Sequence, residues 1–272
     1  MPTDRDTTPR PPATALTIAS SDSGGGAGIQ ADLKAFARCG VHGTSAIVAL
    51  TAQNTLGVRA IHECPPEFVT AQLDALFADL PPAAVKTGML FSAQIIRTVA
   101  DALADRQLPL VLDPVMIASS GARLLRDDAI QALVGRLFPL ATVVTPNLME
   151  AQALTGRDTE DRALLAEALV GLGARAALVT GGHGQRPIDH LYAGGSHLEI
   201  PVQRHPVPAT HGAGCTHSAA LAACLARGAS ITDAARQAAL VASAAVAHGL
   251  VGIGAGDGPV DALDVRTLRP PH

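Results

Sequence analysis

The hydrophobic and polar positions of this chain switch repeatedly between two periods. Short apolar runs predict strands at 15–19, 45–51, 83–88, 110–113, 142–145 and 175–180. Amphipathic stretches between them predict helices at 29–39, 66–79, 92–106, 127–137, 148–154 and 161–171. Gly40 ends the first of these helices, Pro66 falls in the first turn of the second, and Ser92 can cap the third. Gly194-Gly195 separates 191–193 from 198–202, an antiparallel pair. Two Ala-rich helices follow at 214–227 and 232–248. Alternation of strand and helix predicts an α/β fold with a mostly parallel sheet covered on both faces, and the late hairpin puts antiparallel strands at one edge. With no repeat and no Gly/Ser linker, 14–265 reads as a single domain. Residues 1–13 read as a disordered lead-in and 266–272 as a flexible tail, with the Gly- and Pro-rich segment after Gly249 loosely packed.

Composition narrows what such a fold can do. The chain has 272 residues, 48% of them hydrophobic but only 2% aromatic, and no Trp. Its core is therefore aliphatic, and few rings remain to stack single-stranded nucleic acid. The formal charge of −4 argues against a phosphate-backbone footprint. Cys39, Cys64, Cys215 and Cys224 are far apart, with no C-x-x-C pair, so a disulfide framework or structural zinc is not expected and a reducing, cytoplasmic setting is. The N-terminal segment has no apolar core of a secretory signal, and no run of about 18 apolar residues predicts a membrane span.

In open α/β sheets ligands bind outside the carboxyl ends of the strands. The polar signatures of this chain fall there: Ser20-Ser21-Asp22, Gln53-Asn54, Lys86-Thr87-Gly88-Met89, Asp113-Pro114, Thr145-Pro146-Asn147 and Gly181-Gly182-His183. Gly212-Ala213-Gly214-Cys215-Thr216 opens a helix, where unpaired amides and the helix dipole favour an anion. The same environment is expected to lower the Cys215 thiol below its usual pKa of about 8.5, making it a general base or nucleophile; the alternative is a buried, inert cysteine. The glycine run 24–28 is either a dinucleotide loop or a turn where a small ligand nears the backbone, and the spacing suits the turn better. Asp32 is either a surface helix-dipole carboxylate or an acceptor for a ligand amino or hydroxyl group. Gln53 offers a donor and an acceptor to a heteroaromatic edge, or is a surface residue. Met89 is either a soft wall for a flat ring or core filler. Asp113, Asn147 and Glu150 could hold Mg²⁺, directly or through water, and Asn147 with Glu150 could also form a capping box.

In combination these segments resemble the ribokinase superfamily, and within it the hydroxymethylpyrimidine/phosphomethylpyrimidine kinases of thiamine biosynthesis. The resemblance runs from about residue 15 to 249. It rests on Ala15-Leu-Thr-Ile-Ala, Gly25-Gly-Ala-Gly-Ile-Gln-Ala-Asp-Leu-Lys34, Leu50-Thr-Ala-Gln-Asn-Thr55, Lys86-Thr-Gly-Met-Leu90, Asp113-Pro-Val-Met116, Thr145-Pro-Asn147 with Glu150-Ala151, Gly181-Gly-His183, and Thr210-His-Gly-Ala-Gly-Cys-Thr216. It implies a three-layer α/β/α sandwich. It implies ATP- and Mg²⁺-dependent phosphorylation of 4-amino-5-hydroxymethyl-2-methylpyrimidine and then of its monophosphate, in a cytoplasmic homodimer. It assigns the pyrimidine pocket to Asp32, Gln53, Met89 and Val115. ATP and phosphate contacts fall to Asp113, Asn147, Thr180 and Gly182, and the metal to Asp113 and Glu150. Gly212, Ala213 and Gly214 become an anion hole, with Cys215 beside the acceptor hydroxyl.

Four departures from that pattern stand out. Thr180 replaces a lysine, Ala213 a threonine, Ser20 a glycine, and Ser23-Gly24 a Pro-Ser pair. Ser20 adds bulk by the expected pyrimidine site, and Thr180 removes a phosphate-facing cation. His217, two beyond Cys215, reads as a satisfied helix histidine ahead of a catalytic one. A pyridoxal or pyridoxine kinase is the alternative enzyme, and a non-catalytic pyrimidine-binding protein the alternative outside enzymes.

Overall fold

A computed structural model describes residues 11–116, 125, 127–182 and 186–268. Its centre is a nine-stranded sheet in the order β3-β2-β1-β4-β5-β6-β7-β8-β9. The strands are β1 (Thr14–Asp22), β2 (His42–Asn54), β3 (Gly57–Glu63), β4 (Ala84–Thr87), β5 (Leu110–Leu112), β6 (Val143–Val144), β7 (Ala176–Val179), β8 (Ile188–Ala193) and β9 (Ser196–Pro201). The six from β2 to β7 pair in parallel, and β3, β8 and β9 pair antiparallel. Antiparallel strands therefore close both edges of the sheet. The expectation of one such edge missed β3, which carries no buried residue and so has no clean apolar alternation to read.

Strand residues divide by period two between two cores. In β1, Leu16 and Ile18 face one core and Ala15 the other; in β5, Leu110 and Leu112 face the first and Val111 the second. The first core is completed by α2 (Pro66–Asp79), α3 (Ala93–Leu103), α4 (Asp127–Ala132), α5 (Leu148–Thr155) and α6 (Arg162–Gly171). The second is completed by α1 (Gly28–Arg38), α7 (Ala213–Ala226) and α8 (Ile231–Ala247). This is the three-layer sandwich. The helix expected over 127–137 changes register after Ala132, passing into a π-turn at Leu133–Leu137 and a 3₁₀ turn at Phe138–Leu140.

Local signals set the helix ends. Ser92 Oγ accepts from Ile95 N, and Asp161 from Ala163 N and Leu164 N. Asn147 and Glu150 form a reciprocal capping box, and Gly156 ends α5 in the left-handed region.

Of the segment after Gly249, residues 251–256 are exposed, but the part from Gly258 to Ala262 is packed. Val260, Asp261 and Ala262 are buried. His211 N donates to Gly258 O and Val260 N to His211 O, while Leu250 N donates to Pro259 O. The chain thereby straps itself across the base of α7. Residues 1–10 and 269–272 of the expected lead-in and tail lie outside the described residues, as does His183.

Candidate active site

The order in which strands are added reverses between the parallel neighbours β1 and β4: β1–α1–β2 steps one way across the sheet and β4 lies on the other side of β1. Such a switch point opens a crevice at the carboxyl ends of the strands. Two glycine-bearing segments meet there. Gly212 caps α7 with φ at 85°, and a Cβ on it would lie 1.7 Å from Gly26 O. A Cβ on Gly26 would lie 2.3 Å from His211 Cδ2. The β1–α1 loop and the mouth of α7 thus interlock backbone to backbone, leaving no room for side chains.

Asp22 ties the two segments together. Its carboxylate accepts from Gly24 N (2.8 Å), Gly26 N (3.1 Å) and Ala27 N (2.8 Å), and lies 3.0 Å from His211 Nε2. Burial pushes its pKa upward, but the bonds from His211, Ala27 and Gly24 overcome this and hold it below the ordinary value. His211 Nε2 also lies 3.4 Å from Gln53 Nε2, which brings β2 to the site. Ser23 Oγ donates to Gln53 O and accepts from Gln53 N, clamping that strand end to the loop. Ser20 N donates to Met89 O at 3.2 Å, so buried Ser20 and Met89 are neighbours at the ends of β1 and β4.

Below the loops lies a buried charge cluster. Lys86 and Asp32 are both 0% exposed. Lys86 Nζ lies 2.8 and 2.9 Å from the Asp32 oxygens, and Thr17 Oγ1 donates to Asp32 Oδ2 at 2.6 Å. Asp32 is neither a surface carboxylate nor an open acceptor: its oxygens are engaged inside the protein. Lys86 Nζ also lies 3.9 Å from Asp113 Oδ2, which accepts from Ser218 Oγ on α7 at 2.7 Å. Burial alone would discharge Lys86, but attraction from Asp32, Cys215 and Asp113 outweighs it and holds the amine above the ordinary lysine range.

Cys215, in the first turn of α7, is partly exposed, and Gly214 beside it is exposed. The expected lowering of its thiol pKa is not what this environment produces. Burial of the sulfur pushes it up to about 12; Lys86 opposes, Asp32 and Asp113 reinforce, and the Gly28 amide opposes weakly. A helix mouth lowers a thiol only where the anion keeps solvent or a dominant cation, and two nearby carboxylates cancel much of that here.

Glu150 accepts from Met116 N (3.3 Å) and Asn147 N (3.0 Å). Burial and then repulsion by Asp113, in the turn after β5, push it to about 8. Among the described residues no group of three or more His, Cys, Asp or Glu could hold a metal. Two carboxylates still suit magnesium, which keeps waters and phosphate oxygens as its other ligands. Val115 is half-buried in the turn after Asp113, where its N–H donates to Asp113 O. Thr180 N donates to Pro146 O, which sets Thr180 beside Asn147, and Gly182 is exposed at the same edge.

His217 is buried. Its Nε2 lies 3.0 Å from Asp189 Oδ2, and Asp189 Oδ1 accepts from Gly181 N at 2.6 Å. It therefore ties α7 to β8 and to the turn after β7, as a structural histidine would. The sequence named Asp22, Lys86 and His211 only within motifs and gave no sign of Ser218 or Asp189. A lysine inside a strand whose four positions are all buried was the available signal.

Residues 22–261 match the family model of phosphomethylpyrimidine kinase. The chain belongs to this family. A hydroxymethylpyrimidine/phosphomethylpyrimidine kinase of Rhizobium meliloti (strain 1021) is 49% identical over 255 residues, which is 91% of this chain and 96% of the relative. Among solved structures, an ADP complex of Bacillus subtilis pyridoxal kinase superposes with a TM-score of 0.86 at 36% identity, covering 95% of this chain and 100% of that one. A phosphomethylpyrimidine kinase from Clostridium difficile 630 gives 0.75 at 39% identity over 84% of this chain and 96% of that one. The fold is the one these kinases share.

Proposed function

We propose that this chain transfers the γ-phosphoryl group of ATP to the hydroxymethyl group of 4-amino-5-hydroxymethyl-2-methylpyrimidine, and then phosphorylates the monophosphate to the diphosphate for thiamine biosynthesis. The observation that carries the reading is the mouth of α7, pinned by Gly212 against Gly26 and open to solvent at Gly214, with Cys215 in its first turn and the Ser218–Asp113 bond one turn on. The amides of Gly212 and Gly214 hold the migrating group; that of Ala213 donates to Thr210 O at 3.0 Å in the free chain and joins them only by giving up that bond. Such oriented donors contribute several kcal/mol to the transition state. Phosphoryl transfer asks mainly for positioning and charge neutralisation, so the loss of a hydroxyl at Ala213 leaves the amides sufficient. Gln53, Met89 and Val115 bound the ring. Asn147, Thr180 and Gly182 border the nucleotide phosphates.

Asp113 and Glu150 are the residues that would hold Mg²⁺, which would supply neutralisation of phosphate charge. Cys215 receives the hydroxyl proton late in the transfer. Its thiol is protonated in the free chain, so deprotonation accompanies loading of the site. Asp113 is one of the groups holding the thiol up, so neutralising Asp113 acts in the required direction. A cytoplasmic homodimer is part of the same reading.

Pyridoxal is the second acceptor to test, because solved pyridoxal kinases superpose over 95% of this chain. The experiment is ATP consumption coupled to an indicator reaction, run with each alcohol. Turnover of the pyrimidine and its monophosphate supports the reading. Turnover of pyridoxal with no reaction of the pyrimidine replaces it.

A further inference from the structure

Lys86 is the buried hub on which the chemistry-bearing groups converge, though the family resemblance gives it no role. Its ammonium is held by Asp32 at 2.8 and 2.9 Å from the α1 side, and reaches Asp113 at 3.9 Å on the β5 side. Asp113 in turn receives the Ser218 hydroxyl from α7, one turn beyond the helix mouth. A single cation therefore links α1, β4, β5 and α7. The backbone makes room for it: a Cβ on Gly88 would lie 2.9 Å from Lys86 Nζ and 3.1 Å from Ala19 Cβ.

Burying a lysine completely is costly, and a well-packed apolar residue usually serves stability as well or better. Asp32 engages the ammonium closely, and the longer reach to Asp113 aims the remaining donor capacity at the site. We propose that Lys86 is a positioning residue for phosphoryl transfer, orienting Asp113 and the Cys215 turn of α7 around one fixed charge, and that Asp32 acts through Lys86 and not by touching the ring. The inference rests on the kinase reading and deepens it.

Two variants test it. Lys86→Met removes the charge; Gly88→Ala keeps the charge and displaces it. In folded Lys86→Met, kcat falls by about 30-fold or more while KM for both substrates stays within about threefold, the split expected of a group that serves the transition state. Gly88→Ala loses about three- to tenfold in kcat in the same pattern. As a readout independent of turnover, iodoacetamide alkylation of Cys215 at pH 8.5, followed by peptide mass, slows severalfold in Lys86→Met as the cation facing the thiolate is lost.

A kcat within threefold of wild type in both folded variants overturns the inference. So does a loss that lies wholly in KM. If Lys86→Met does not fold, Gly88→Ala decides by the same criteria. If the wild-type protein phosphorylates neither the pyrimidine nor pyridoxal, the kinase reading fails by itself. The role in phosphoryl transfer then falls with it, and alkylation tells the two failures apart: slowing shows that Lys86 still governs the Cys215 thiol, and an unchanged rate overturns the Lys86 arrangement as well.

Discussion

Gly212→Ala isolates what the interlocked loops contribute, because the structure gives the size of the insult. Alanine at φ 85° occupies the left-handed region, at about 1–2 kcal/mol for an L-residue. Its Cβ would start 1.7 Å from Gly26 O, a backbone atom, where real Cβ contacts do not fall below 3.0 Å. One of the two loops must retreat by more than an ångström, adding about 1–3 kcal/mol of overpacking strain. The expected destabilisation is about 2–5 kcal/mol, or roughly 4–9 °C in melting temperature for a chain of this size. Retreat also pulls the α7 amides out of line, so ADP should no longer raise the melting temperature. Gly214→Ala is the internal control. Nothing lies within 4 Å of its added Cβ and its φ is not positive, so its melting temperature should match the wild type. Thermal melts of the three proteins with and without ADP make the comparison. A Gly212→Ala protein that melts within about 2 °C of wild type and retains the ADP shift refutes the reasoning.

Cys215→Ala should fold normally and lose about 10²- to 10⁴-fold in kcat, the range of a general base; steady-state turnover at wild-type rates would remove the thiol from the chemistry. Glu150 has a folded pKa raised from 4.5 to about 8, so the folded protein retains a proton that the unfolded chain releases. Its contribution is fully present below about pH 4.5 and is lost as pH rises through about 8. Glu150→Gln should therefore lose less stability than wild type between pH 5.5 and 8.5, read from urea midpoints; equal losses would contradict this. Asp189→Ala strips the partner from Gly181 N and from His217 Nε2, both buried, and should cost about 2–4 kcal/mol in urea unfolding, with less than about 1 kcal/mol counting against the linkage. Thr180→Lys restores a cation beside Asn147 and should lower KM for ATP, an effect that a phosphate-remote position would not give.

Much of the architecture was visible as local pattern. The helix over Pro66–Asp79 came from its own spacing and its proline, and the Ser92 cap and the Asn147/Glu150 box from residues three apart. The Gly212–Cys215 stretch could be recognised as a helix mouth because glycines and the following Ala-rich run are contiguous. By contrast, β3 went unread because an edge strand without buried residues has no period. The strap after Gly249 looked loose because its order comes from backbone bonds to His211 and from Ala245, which composition does not encode.

The site divides along the same line. Residue identity alone determined that oxygen-rich and glycine-rich segments end the parallel strands, because strand period, turn chemistry and capping act within a few residues. Only the tertiary structure decided that Lys86 meets Asp32 across 54 positions, that His211 reaches Asp22 across 189, and that the Cys215 thiol is raised and not lowered. The reason is physical. A side chain's charge state depends on burial and on which other charges share its low-dielectric surroundings, and both are created only when distant segments pack together.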